Sequence, residues 1–194
     1  MDHSAGSDRP YHHGDLRRVL LDHAERRLAQ GGVPAVTLRA CARDAGVSPA
    51  AALHHFGSLK GLLSALAARG FEGLVDRLDA DLKARPDLPR GSLLVGAYVG
   101  FAQAAPGLFD LMWRDDLLSP DDPTLTKARA DALSRLHEPG ASSVGAIRTW
   151  SLAHGLATLL RHGRIVTALG GPQAGLTAVE DFVALAYSPA FSGR

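Results

Sequence analysis

Cysteine is nearly missing from this 194-residue chain, where Cys41 is the single one. No intrachain disulfide can form, and the cysteine usage points to no oxidising compartment. Aromatic residues amount to only 6%, and runs of Val, Ile and Thr are few, which counts against a core built from sheets. Neither sign of charge is in excess, since the formal net charge is +1; any surface for a polyanion has to be local. No apolar run reaches the ~20 residues of a bilayer span. Met1 to Gly6 lacks the basic stretch leading into an apolar one that marks a secretory signal. The expectation is a soluble, cytoplasmic protein with no membrane partner. Catalytic signatures are missing too. The chain has no G-x-S-x-G elbow, no phosphate-cradling glycine loop and no HExxH pair, and its nine His residues form no nucleophile-and-base pattern. Neither an enzyme nor a cofactor is expected.

What is present is a helical composition, 46% hydrophobic, with long stretches of Ala, Leu and Arg. The length allows one medium domain, or a small domain joined to a larger one, with enough chain to bury a core. Charge is unevenly placed: residues 1–60 hold eight Lys/Arg against six Asp/Glu, and six of the nine His, whereas the remainder balances thirteen against fourteen.

Residues 1–10 are small and polar and end in proline, which reads as a disordered arm. From Asp15, the spacing of Leu16, Val19, Leu20, Ala24 and Leu28 predicts a helix with one buried stripe, ended by Gly31-Gly32. Val33 to Val36 reads as a connector, because the residue before Pro34 avoids helical geometry. Thr37 is placed to cap a second helix, Leu38 to Ala45, with Leu38, Cys41, Ala42 and Ala45 facing inward. That position makes Cys41 a small buried hydrophobe rather than a redox sensor. Gly46 closes the helix. Ser48-Pro49, an N-cap followed by proline at the first helical position, opens a third helix over Pro49 to His55. Two short helices joined by a tight glycine turn make a helix-turn-helix.

Ser58 caps a fourth helix from Leu59 to about Ala84. Its stripe of Leu62, Leu63, Leu66, Phe71, Leu74, Leu78 and Leu82 is longer than a small module alone can bury, so this helix should bridge two domains. After the break at Arg85 to Pro89, helices are predicted at Leu93 to Ala104, Pro106 to Trp113, from the Ser119–Pro123 cap through His137, from Ser142 or Ser143 to about Ala168, and from Pro172 to about Tyr187. The expected fold class is all-α with about nine helices. A disordered arm at 1–10 precedes a helix-turn-helix domain at 11–58 and a helical domain at 59–194.

The stretch Thr37-Leu38-Arg39-Ala40-Cys41-Ala42-Arg43-Asp44-Ala45-Gly46-Val47-Ser48-Pro49, with His54-His55-Phe56-Gly57-Ser58 and Leu62-Leu63 after it, closely resembles the DNA-binding domain of TetR family regulators. The opening Tyr11-His12-His13-Gly14-Asp15-Leu16-Arg17-Arg18 is typical of one branch of that family. Trp150 with His154-Gly155 looks like the Trp-His-Gly signature of a C-terminal domain class in the same branch. The resemblance implies that Thr37 and Arg39 meet phosphates while Ser48, Pro49, Ala50, Ala51, Leu53, His54 and His55 face the major groove, with Lys60 near the backbone. A helix of about two turns suits a groove ~12 Å wide. Two positions depart from the family pattern: Leu53 replaces an aromatic residue and Leu59 replaces a lysine, with Lys60 one place later. Pro49, Ala50 and Ala51 offer no hydrogen-bonding side chain. Base reading would therefore fall to methyl contacts with thymine, to Ser48, His54 or His55, and to DNA shape, with Arg9, His12 and His13 of the arm available to compensate.

Trp150 and His154, four residues apart, share a helix face. The family places this helix beside a ligand cavity and in the dimer interface, so the pair either contacts ligand or hydrogen-bonds within the core or across the dimer. Phe71, Tyr98, Phe101, Phe109, Met112 and Trp113 are candidates to line a cavity for an apolar or aromatic effector, or else to form plain core. Arg69, Arg114 and Arg148 are candidates for a ligand carboxylate, against a default of surface placement. The adjacent pairs His12-His13 and His54-His55 cannot chelate one ion, because neighbours on a helix point ~100° apart; no metal is expected. The resemblance thus implies a homodimer, paired through the last two helices, that binds a palindromic double-stranded DNA operator and answers to an unidentified small molecule, most often as a repressor. The alternative is a ligand-binding or interaction protein of the same fold with weakened DNA binding.

Overall fold

The computed structural model describes residues 13–136, 143–161, 163, 167 and 170–187. The arm expected at 1–10 lies outside them. α1 (His13–Gly31) buries Leu16, Leu20, Ala24 and Leu28, the predicted stripe, with Val19 half-buried. A single 3-10 turn follows at Val33–Ala35, which corrects the expectation of a non-helical connector. Gly32 takes φ 66° just ahead of it, so Pro34 falls in a first turn, where its missing N–H is not needed.

α2 (Leu38–Asp44) and α3 (Pro49–Phe56) form the helix-turn-helix. Each begins at the predicted cap: Thr37 Oγ1 accepts the Ala40 amide at 3.1 Å, and Ser48 Oγ accepts the Ala51 amide at 3.2 Å. Gly46 turns the chain between them at φ 69°, a left-handed conformation that favours glycine. Cys41 and Ala42 are buried and Leu38 and Ala45 half-buried. Burial pushes the Cys41 thiol up from its ordinary value, keeping it protonated and unreactive.

α4 (Leu59–Ala84) is capped by Ser58, whose Oγ accepts the Gly61 amide at 3.0 Å. Its predicted stripe is buried from Leu62 to Leu78, with Leu82 half-buried. α5 (Arg90–Ala104) starts three residues before the expected Leu93. The periodicity of large apolar residues could not register that extra turn, because it is built on Gly91, where a Cβ would lie 1.9 Å from the Tyr187 ring. α6 (Pro106–Met112) and α7 (Pro123–Arg135) follow, the latter capped by Asp122, whose Oδ1 accepts the Leu125 amide at 2.9 Å. Leu136 ends α7, and the expected extension to His137 lies outside the described residues. α8 (Ser143–Arg161) does not run on to Ala168 as one helix, since Gly163 takes φ 67° and turns the chain there. α9 (Pro172–Ala186) completes nine α-helices, with no strand among the described residues.

α4 packs against α5, α6 and α7, and α5 packs in turn against α8 and α9. The buried apolar cluster runs without interruption from Leu16 in α1 to Val183 in α9. The helix-turn-helix and the larger domain therefore share a core through α4. No single helix among the described residues is long and apolar enough to cross a membrane.

Candidate nucleic-acid interface and effector region

α3 has an anchored side and an open side. Ala52 and Phe56 are buried, whereas Pro49, Ala50, Leu53 and His54 are exposed, as is Ser48 at the cap; Ala51 and His55 are half-buried between the two. Apolar residues every four positions hold the helix down, and the side left to solvent carries the Pro49 ring, the Ala50 methyl, the larger Leu53 and the His54 imidazole. Thr37 and Arg39 of the α2 start and Lys60 of the α4 start are exposed as well. Of the ten residues predicted to meet DNA, eight are exposed and Ala51 and His55 are half-buried. Among the described residues Arg39 makes no hydrogen bond or ion pair, in contrast to most of its neighbours.

Those neighbours hold the scaffold. Arg27 of α1 clamps Asp44 at the end of α2 through both carboxylate oxygens, at 2.6 and 2.9 Å. Hydrogen bonding from Arg27 holds the Asp44 carboxyl below the usual carboxylate range. Arg17 lies over the Phe56 ring at 5.2 Å, tying α1 to the end of α3. Arg69 of α4 reaches back to α1, with Nη1 at 2.6 Å from Asp22 and 3.2 Å from Glu25. Gly107 at the start of α6 sits against the end of α1, where its Cβ would stand 3.2 Å from the Leu28 carbonyl oxygen. These contacts tie α4 and α6 to α1. Sequence reading missed Arg69 and Gly107 in this role, because neither an ion pair spanning 47 residues nor a close backbone approach leaves a local signature.

In the larger domain, six of the predicted ligand residues form a continuous ring cluster. Phe71 meets Trp113 edge-on at 5.4 Å, Trp113 meets His154 at 4.8 Å and Trp150 at 6.1 Å, and Phe109 meets His154 and Tyr98 at 5.7 Å each. Tyr98 Oη and His154 Nδ1 are hydrogen-bonded at 2.9 Å. Phe71 and Tyr98 are fully buried, Trp113 and His154 are half-buried, and Trp150 is exposed at 36%. Met112 packs beside the cluster where α6 crosses Gly70 of α4, and Phe101 stands apart, against Gly73. Burial drives the Tyr98 phenol far up and the His154 imidazole down, so both are neutral at neutral pH. The indole N–H of Trp113 is buried without a hydrogen-bond partner among the described residues.

The three arginines considered for a ligand carboxylate are engaged elsewhere: Arg69 with α1, Arg114 with Asp116 at 2.8 Å, and Arg148 over the Tyr187 ring at 5.2 Å. A cleft of about 560 Å3 opens on the other side of α5, between α4, α5 and α9, and its lining includes Arg77, Arg85, Gly96 and Val183 and none of the predicted ligand residues. Its glycines and arginines are residue types that a search for aromatic pocket walls passes over.

Residues 20–66 match the sequence profile described as bacterial regulatory proteins, tetR family, and residues 93–180 match that of the tetracyclin repressor-like C-terminal domain. The chain is 44% identical over 68 residues to the HTH-type transcriptional regulator BetI of Rhizobium meliloti (strain 1021), a match spanning 35% of this chain and 34% of that protein. Among solved structures, a protein of unknown function from Rhodococcus sp. RHA1 superposes with a TM-score of 0.74 at 32% identity, covering 93% of this chain and 100% of that one. The putative regulatory protein SCO4313 shares the fold, with a TM-score of 0.68 at 19% identity over 91% and 98% of the two chains. With both of its domains matched and its helix-turn-helix open to solvent, the chain belongs to the TetR family of bacterial regulatory proteins and carries that family's helix-turn-helix DNA-binding domain ahead of a helical C-terminal domain.

Proposed function

We propose that the chain acts as a homodimeric repressor that binds a palindromic operator and releases it when a small molecule enters the C-terminal domain. The observation that carries this reading is the open side of α3, with Ser48, Pro49, Ala50, Leu53 and His54 exposed next to an unpaired Arg39. A helix presented in this way fits the major groove, with Arg39 and Lys60 set for phosphates. Pairing of two copies is supported by α8 and α9, where Val144, Ile147, Phe182 and Leu185 are between 49% and 74% exposed. Large apolar side chains gathered on two helices mark an interface, and a two-fold axis satisfies it with one patch. Effector control draws on the contacts that tie α4 and α6 to α1. A ligand that favours one setting of α4 weakens DNA, and DNA weakens that ligand by the same factor.

A second reading, a protein of the same fold with weakened DNA binding, draws on Leu53 and Leu59, which are 50% and 41% exposed where the family carries an aromatic and a lysine. One experiment separates the two. Selection of bound sequences from random DNA, followed by a salt titration of the winner, should return a palindrome bound with an affinity that falls steeply as salt rises. Recovery of no enriched sequence would favour the second reading.

A further inference from the structure

The cleft between α4, α5 and α9 has a chemistry of its own. Its volume of about 560 Å3 lies within the ~300–1,000 Å3 that small organic ligands fill. Buried Leu93 and Val99 of α5 and Val179 and Val183 of α9 form apolar walls. Space exists there because α5 presents Gly96 and Gly100, one turn apart; a Cβ built at Gly96 would meet no atom within 4 Å.

One end of the cleft is charged. Arg77 and Asp81 on α4 and Arg85 at its C-cap follow one another at four-residue spacing, and Asp81 accepts from Arg77 Nε at 3.1 Å and pairs with Arg85 Nη2 at 3.3 Å. Two guanidinium groups share one carboxylate, which leaves one positive charge uncompensated among the lining residues. Arg77 Nη2 lies 3.1 Å from where a Cβ of Gly100 would stand, and the two Nη groups of Arg77 have no hydrogen-bond partner among the described residues. A guanidinium with donors to spare is suited to the paired oxygens of a carboxylate. The polar group of the far wall, by contrast, is already satisfied, since the Tyr187 hydroxyl is hydrogen-bonded to Thr149 Oγ1 at 2.8 Å.

From this asymmetry we propose that the cleft binds an amphipathic organic acid, with its carboxylate on Arg77 and Arg85 and its hydrocarbon body along α5 and α9. The consequence for DNA rests on the regulatory reading above; the binding itself does not. α4 carries Arg77 in its last turns, is followed by Arg85 at its C-cap, and adjoins α3 at Ser58 at its other end, so an anion seated at the far end acts on the helix that positions the DNA-contacting surface.

The test is calorimetric titration of the full-length protein with decanoate, decanol and decylamine, followed by the Gly96→Leu and Arg77→Gln variants. Decanoate should saturate one site per chain and bind about 10-fold tighter than decanol, a preference of the size a charge-assisted pair supplies; decylamine should not saturate. Gly96→Leu should abolish binding of both decanoate and decanol by filling the cleft. Arg77→Gln, a surface change that spares the fold, should remove most of the preference for decanoate over decanol. Absence of saturable decanoate binding, equal binding of decylamine, or unchanged binding by a folded Gly96→Leu protein would each overturn the proposal. Release of selected DNA is scored separately. Binding of decanoate without release leaves the site standing and removes its regulatory role.

Discussion

α3 and the α8–α9 pair both present apolar side chains to solvent, in opposite styles. On α3 the exposed groups are Pro49, Ala50 and the single large Leu53, set among N-cap hydroxyls, a histidine and nearby cations. On α8 and α9 they are large, with Val144 at 74%, Ile147 at 61% and Leu185 at 54% exposure. The size and company of the exposed groups separate the two surfaces. Small methyls beside unpaired cations suit a partner whose main handle is charge, while large side chains without such cations suit burial against their own kind.

The largest expected effect breaks the second surface. Replacing Ile147 and Leu185 together by Asp should raise the dimer dissociation constant by at least about 100-fold, since burial of each apolar side chain contributes roughly 1.5–3 kcal/mol. Sedimentation velocity should then find a monomer, with operator affinity lost in parallel; a chain that stays dimeric would erase the contrast. The first surface gives way more gradually. Arg39→Ala should weaken binding to every DNA sequence by roughly 10-fold and lower the salt slope by about one, whereas His54→Ala should shift sequence preference at one position. Parallel gel shifts on selected and scrambled DNA distinguish these outcomes, and an Arg39→Ala protein of unchanged affinity would remove α2 from the backbone.

Smaller effects belong to the inner side of α8. Tyr98→Phe deletes the hydrogen bond to His154 and should cost about 1 kcal/mol in a denaturant titration, with operator affinity unchanged. His154 contributes a pH trend. Its folded-state proton affinity is depressed by burial below the ordinary value of 6.5, so the unfolded chain takes the proton first. The associated stability is fully present above pH ~6.5 and is lost as pH falls through the folded value. Melting temperature should therefore drop on acidification from pH ~7 to ~5, by less in His154→Gln. An equal slope in both proteins would show that burial of the ring carries no such cost.

Much of this was legible beforehand where the physics is local. Thr37, Ser48 and Ser58 cap the helices they were expected to cap, because an N-cap hydroxyl needs only the amide three residues on. The α4 stripe was readable for a similar reason, as helical period alone gathers Leu62 to Leu78 on one side. Failures came where glycine did the structural work. Gly91 extended α5 backward under Tyr187, and Gly163 ended α8 before Ala168. The predicted effector residues show the same limit: their aromatic character was plain, and whether six rings close on one another or around a space depends on the distances between helices.

Sequence by itself determined the all-helical class and the helix-turn-helix with its glycine hinge and caps. Periodicity and capping act within a few residues and leave their record in the chain. Only the tertiary structure decided which arginines are spent on structural ion pairs, that the two domains share one core through α4, and that a cleft opens beside Gly96 and Arg77. Those outcomes depend on how closely two helix backbones approach, a quantity set by the whole packing and carried by no single segment.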